Sequence, residues 1–397
     1  MNKKFKPDLK PLSHELNFLL ELLKEKKGLT INQNEHDHLK DIDWRIFLQL
    51  VEHHRCYPLI YKKLKGFDGR LIPPYVMQTL NREYKKNTIK MLQLSGEMEQ
   101  VDKVFNQNNI PLLFLKGPAL AYELFGDISL RMSKDLDILV LEKDIEKTEK
   151  ILLNLGYEKE EIPVVFNEIK LRRHHIAYYH PQKRVQIEMH WRLHHRSIEG
   201  ANFEELWHRK RESLLTNHPL PFMGREDLLL YLISHGSRHG WFRLRWLKDI
   251  DQIVINDDIN YEHFSLLTRR YKQERLVGQA FQLANLLLNT PINSHVKEFV
   301  ETRQAKILAE KALPYIREMV QLHSNVQSRP SQLDKSFKRY LFSLKSKRKK
   351  IEYITIMFYP SVADERTLKL PKCINFLYFP LRPFLFILRK IRKTELF

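Results

Sequence analysis

The chain has 397 residues, of which 43% are hydrophobic and 29% charged; this length predicts two or three domains, and the composition is that of an ordinary globular protein. Its two cysteines, Cys56 and Cys373, are far apart and lack CxxC spacing, which argues against a disulfide framework or a cysteine-based zinc site and suits a reducing cytoplasm. The formal charge is +19, but residues 335–397 hold 16 Lys/Arg against 4 Asp/Glu, so the basic excess belongs mainly to the last sixth of the chain.

The first residues, Met1 to Asp8, lack the apolar stretch of a secretory leader, and a cytoplasmic location is expected. Residues 12–30 and 41–108 carry helical patterning, with Ile42, Trp44, Phe47, Leu50 and Val51 on one stripe. A helix over 97–108 leads into a short apolar run, Ile110 to Leu115, of strand type. Lys116 and Gly117 end that strand. Pro118 opens a helix that Gly126 closes, the expected asymmetry of proline at the start and glycine past the end. A strand, a glycine and a helix N-terminus in that order aim backbone N–H groups and a positive dipole end at an anion.

Asp135 and Asp137 then open a strand that continues through Ile138, Leu139 and Val140. Side chains at i and i+2 share a face, so the two carboxylates lie side by side. Like charges that close repel unless a cation sits between them, and hard oxygen ligands favour magnesium. On that reading, removing one carboxylate leaves the melting temperature level or slightly higher. A helix follows over 143–155, capped by Gly156, and residues 178–184 read as a hairpin turn. From Arg184 to Trp191 the chain alternates strictly, with Val185, Ile187, Met189 and Trp191 on one face and Gln186, Glu188 and His190 on the other.

From about 200 to 330 the pattern is helical again. Within it, His235 and His239 stand one turn apart on a helix face. Three readings compete: a zinc pair, although the glutamate of a His-Glu-x-x-His motif is absent; two satisfied buried histidines; or His235, His239, Arg243 and Arg245 reaching over a cleft to phosphate, base or acceptor. A second histidine-rich stretch holds His174, His175, His180, His190, His194 and His195. His190 shares its face with Glu188, where it could orient a metal-bound carboxylate or a water, or simply be a surface histidine.

Residues 110–191 look like the core of the polymerase-β-like nucleotidyltransferase superfamily. More narrowly, Leu115 to Ala121, Arg131, Asp135-Leu-Asp137 and His190-Trp191 resemble the bacterial family of uncharacterised nucleotidyltransferases, over roughly residues 40 to 320. His-x-x-x-His-Gly-Trp followed by Arg-Trp-Leu-x-Asp (His235 to Asp249) looks like that family's second recurrent motif. The chain departs from the superfamily in carrying Pro118 where Gly or Ser is usual, and in a longer gap from the turn to the first Asp.

The resemblance implies an α+β fold: a small mixed sheet with helices packed on it, flanked by helical regions. The expected boundaries are 1–95, 96–198, 199–334 and a basic apolar tail over 335–397. It implies transfer of NMP from an NTP to an unidentified acceptor, with Asp135 and Asp137 holding Mg2+ or Mn2+ and Glu188 completing a three-carboxylate cage; Glu161 and Glu168 are the alternatives for the third place. Gly117 and the backbone after it are expected at the β- and γ-phosphates, aided by Lys116 and Arg131, with Ser133 and Lys134 as weaker candidates. A catalytically inert scaffold on the same fold is the rival reading.

The tail combines a basic run, Lys345 to Lys350, with an aromatic and aliphatic stretch over 373–393 that Pro380, Arg382 and Pro383 interrupt. Neither apolar piece reaches the roughly 20 residues needed to span a bilayer. Apolar residues flanked by Lys and Arg suit a segment lying peripherally on an anionic membrane, at its inner face. A C-terminal arm docked on the protein is the alternative. Nucleic acid is not an expected partner, because no recognised DNA- or RNA-binding motif accompanies the charge.

Overall fold

The computed structural model describes residues 12–24, 41–67, 71–160, 174–194, 198–256, 258–320, 331–357, 359–360 and 362–394. Glu161, Glu168 and His195 lie outside them.

Among the described residues three helices come first: α1 (His14–Leu23), α2 (Trp44–His53) and α3 (Tyr57–Leu64). Side-chain oxygens cap the first two, Ser13 accepting from the Leu16 amide and Asp43 from those of Arg45 and Ile46. The long helix α4 (Pro74–Gln107) has 34 residues and buries Val76, Leu80, Met91, Leu94 and Met98 at helical spacing. Then come β1 (Leu112–Phe114), α5 (Pro118–Phe125), β2 (Asp135–Val140), α6 (Ile145–Asn154) and β3 (Glu158–Lys159). The hairpin β4 (His175–His180) and β5 (Val185–His190) follows, then α7 (Phe203–His208), β6 (Arg211–Ser213) and β7 (Leu220–Phe222).

These strands form one mixed sheet in the order β3-β4-β5-β2-β1-β7-β6. β2 runs antiparallel to β1 and parallel to β5, a crossover that the intervening helix and hairpin make possible. The register sets Asp135 beside Gln186 and Asp137 beside Glu188. The expected α+β architecture, a mixed sheet with helices on it and helical flanks, is what the chain adopts.

The helical half comprises α8 (Arg225–Arg238), α9 (Leu244–Ile255), α10 (Tyr261–Arg270), α11 (Glu274–Leu288), α12 (Ser294–Val300) and α13 (Arg303–Arg317). It meets the N-terminal helices directly. The amides of Leu244 and Arg245 donate to His54 Nδ1 and to the His54 carbonyl at 3.2 and 3.3 Å, and α1 packs on α11. One hydrophobic core therefore runs from Leu16 through the sheet to Tyr340. The motif from His235 to Trp241 has a packing role here. A Cβ on Gly236 would stand 2.2 Å from Trp241 Cζ3, so only glycine lets that fully buried indole fold back on α8.

The last elements are α14 (Ser331–Leu344), α15 (Lys347–Met357), α16 (Val362–Thr367) and α17 (Tyr378–Thr394). Residues 335–344, grouped with the tail on charge, pack on the main core: Tyr340 is buried and donates to the Ser237 carbonyl at 2.8 Å. Beyond them, Tyr378 and Leu385 form a small separate cluster with Leu370 and Leu381. The buried Asp364 clamps Arg382 and Arg389. The expected interruption near Pro380 is absent. Pro380 falls in the first turn of α17, where its missing N–H has no helical partner, and Pro383 costs the helix a single bond. Among the described residues no helix is long and apolar enough to cross a membrane.

Candidate active site

Gly117 closes β1 with φ 85° and ψ −150°, a left-handed conformation that also leaves room for Leu136 Cδ2, 3.3 Å from where a Cβ would stand. The strand, turn and helix expected at residues 110–126 are therefore present. The Leu115 amide donates to the Asp137 carbonyl at 3.0 Å, and this bond ties the turn to the carboxylate strand.

Asp137 is the centre of the polar cluster and is 1% exposed. Its Oδ1 lies 3.0 Å from Lys116 Nζ and 3.1 Å from His190 Nε2, while its buried Oδ2 has no hydrogen-bond partner. Glu188 Oε2 lies 3.5 Å from His190 Nε2 and 3.7 Å from His175 Nε2. Among the described residues, donor atoms of Asp137, Glu188 and His190 fall within 4.8 Å of one another, as do those of His174, His175 and His190; Asp135 belongs to neither group. The structure thus brings Glu188 to Asp137 and adds His190, but leaves the Asp135 carboxylate outside that set.

The electrostatics separate the two aspartates. Burial, and then the charge of Asp137, push Asp135 up to about 6. Burial acts on Asp137 in the same direction, but Lys116 and His190 outweigh it and hold that carboxyl well below the usual range. Burial opposes the charge on Lys116 as well, and Asp137 outweighs it, so the ammonium is held above its ordinary value. His190 is buried yet raised, because its bonds to Asp137 and Glu188 favour the imidazolium. His175, desolvated and beside His190, falls to about 4. The expected repulsion between the two aspartates is therefore felt at Asp135, while Lys116 acts as an internal counter-ion on Asp137.

Several other expected contacts are committed elsewhere. Arg131 is 3% exposed and binds Asp249 bidentately through one guanidinium edge, Nε to Oδ1 at 2.9 Å and Nη2 to Oδ2 at 3.0 Å. Arg131→Gln should therefore lower stability by about 3–5 kcal/mol by leaving Asp249 buried without its partner. Chemical denaturation measures this, and an unchanged midpoint would count against a structural role. Ser133 donates its hydroxyl to the Asp135 carbonyl at 3.0 Å, whereas Lys134 is exposed.

The His235 and His239 rings lie 4.6 Å apart, tilted by 59°, with Trp246 against both, and neither belongs to a possible metal-binding group among the described residues. Arg243 lies over the Phe242 ring, and Arg245 donates to the Met132 carbonyl at 2.6 Å, just before β2. Sequence reasoning missed two neighbours. Arg238 donates to His174 at 3.1 Å, and Arg55, at φ 56°, faces Asp135 from the turn between α2 and α3. No local signal pointed to Arg55, which falls inside the helical patterning of residues 41–108.

The chain belongs to the family of uncharacterised nucleotidyltransferases, whose model matches residues 40–289. No curated protein matches it. A solved structure of the antibiotic-resistance factor ANT(2'')-Ia is similar over 47% of this chain and 93% of its own, at 12% identity and a TM-score of 0.34, too distant to bear on fold or function.

Proposed function

We propose that the chain is a divalent-metal-dependent nucleotidyltransferase that moves NMP from an NTP to an acceptor hydroxyl or phosphate. One observation carries this reading: Asp137 and Glu188 face each other in register on adjacent strands, with His190 between them. The unpartnered, buried Asp137 Oδ2 and the nearby Glu188 carboxylate fit a hard divalent cation, with Asp135 at the strand edge as a further oxygen ligand. Mg2+ or Mn2+ there would supply charge stabilisation for in-line displacement at the α-phosphorus. Within the protein, His190 orients both carboxylates through one nitrogen, and Lys116 holds Asp137 in its ionised form.

Incubation of the purified protein with each labelled NTP, Mg2+ or Mn2+ and a cell extract should move label to an acceptor only when metal is present. If no nucleotide binds with metal and no label moves, the inert-scaffold reading takes its place. The raised Asp135 adds a pH test. A carboxyl with a raised folded pKa contributes stability below its unfolded value and loses it as pH rises through about 6. Melting of metal-free protein should therefore weaken across that window, and Mn2+ should reverse the loss; a flat profile would argue against a shared cation at Asp135.

The tail supports a second, peripheral role at an anionic membrane, on the inner face for a cytoplasmic protein. α17 leaves Phe384 65% and Ile387 53% exposed, with Phe386, Leu388 and Ile391 also in solvent, on a segment whose charge is strongly positive. Changing Phe384, Phe386 and Ile387 to Ser in the full chain should reduce sedimentation with anionic liposomes while leaving net charge untouched. Equal binding to neutral and anionic liposomes, or none to either, would remove this role. Full-length variants are the right test, because cutting the chain near 334 would take Phe337 and Tyr340 out of the main core.

A further inference from the structure

A cleft of about 960 Å³ opens between the α2–α3 turn, the first half of α4 and the loop before β2. Arg55, Tyr57, Arg82, Lys86, Lys134 and Arg243 line it. Its carboxylates are Glu52 and Glu83, and Glu83 is held by Lys86 at 2.9 Å and Arg82 at 3.1 Å. Among the described residues Arg55, Lys134 and Arg243 make no ion pair with a carboxylate, and Arg243 Nε is buried without a partner. Arg245 stands behind them with its own Nε buried and unpartnered. Burial, and then the charges of Arg131 and Arg55, push Arg245 down to about 9, with Asp249 and Asp135 acting in the opposite direction.

The turn expected to take phosphates offers much less. Gly117 and Pro118 are buried, Lys116 is spent on Asp137, Arg131 on Asp249 and the Ser133 hydroxyl on the Asp135 carbonyl. The two places share the Asp135 edge, where a Cβ on Gly117 would stand 3.9 Å from the Asp135 carbonyl oxygen, but they touch α4 at different heights. A Cβ on Gly117 would stand 3.8 Å from Met98 Sδ, whereas the cleft touches α4 at Thr79 to Lys86. Lys86 and Met98 are roughly 18 Å apart along the helix at 1.5 Å per residue. Asp135 faces Arg55, Lys134 and Arg245 at the cleft end.

We propose that this cleft is a phosphate-chain site, in which Arg55, Lys134 and Arg243 bind the oxygens of a polyphosphate beside Asp135. The inference rests on the transferase reading for the identity of the ligand alone. The chain of phosphates belongs either to the nucleotide donor or to a phosphorylated acceptor, and the same cations serve both.

The test is calorimetric titration of the full chain with inorganic tripolyphosphate, then with a non-hydrolysable NTP analogue in Mn2+. Arg55→Gln and Lys134→Gln should each weaken tripolyphosphate binding about tenfold, the scale of one charge-assisted contact, and added salt should weaken it further. Lys85→Gln removes an exposed α4 charge that does not line the cleft and should change nothing. Competition between analogue and tripolyphosphate assigns the cleft to the donor; independent binding of both assigns it to the acceptor. Tripolyphosphate binding without any nucleotide binding would sink the transferase reading and leave the cleft standing. Wild-type protein that ignores tripolyphosphate, or variants that melt like wild type and bind it equally well, would overturn the proposal. Lys134 is exposed, so its variant tests the site even if Arg55→Gln fails to fold.

Discussion

Asp137→Asn should reduce nucleotide transfer by about three orders of magnitude, the scale of removing a charge-stabilising group from the reacting centre. It should also lower the melting temperature, contrary to what two mutually repelling aspartates would suggest. Asp137 is the partner of the largely buried Lys116 ammonium and of the buried His190. Breaking such a pair from one side costs about 3–5 kcal/mol, because the other charge stays buried. The double variant Asp137→Asn, Lys116→Met removes the orphaned ammonium as well, so it should regain much of the stability and none of the activity. Full activity in Asp137→Asn would end the catalytic reading. Unchanged stability would show that the Lys116 pair contributes little.

Glu188→Gln should separate those two effects. Its carboxylate is half-buried and, among the described residues, pairs with His190 and His175 at 3.5 and 3.7 Å. The amide fits the same space, so stability should shift by less than about 1 kcal/mol, in line with partly solvated ion pairs. Transfer should nevertheless fall by about two to three orders of magnitude if Glu188 is the third acidic ligand. Glu161→Gln and Glu168→Gln should be mild beside it. Normal rates in Glu188→Gln, with a large loss in either of the others, would move the third carboxylate to that residue.

What was legible in the sequence follows from local periodicity. Alternation from Val185 to Trp191 identified a strand with Glu188 and His190 on one face, and the pairing of Asp137 with Glu188 rests on that strand lying parallel to β2. Glycine and proline marked the turn at Gly117 and both ends of α5. Contacts across long sequence separations were not legible. Arg131 and Asp249 are 118 residues apart, and nothing near either indicated that they close a buried pair. A conspicuous arginine beside an Asp-x-Asp strand therefore read as a phosphate ligand. Arg55 was invisible for the same reason: its neighbourhood is assembled from the first helices, the β2 loop and the start of α9. The tail illustrates a different limit. Charge drew a boundary at residue 335, but Tyr340 and Phe337 are placed by packing, to which net charge is blind.

The length of α4 has a mechanical consequence. One end of this helix forms a wall of the basic cleft, its middle donates from Lys90 to the Arg184 carbonyl in the β4–β5 turn, and Met98 lies under Gly117. At 34 residues it is a rod about 50 Å long. Rocking such a rod by about 5° around its midpoint displaces each end by about 2 Å, in opposite directions. A rigid tilt of α4 about its middle would therefore move the cleft wall and the Met98 contact under Gly117 in opposite directions.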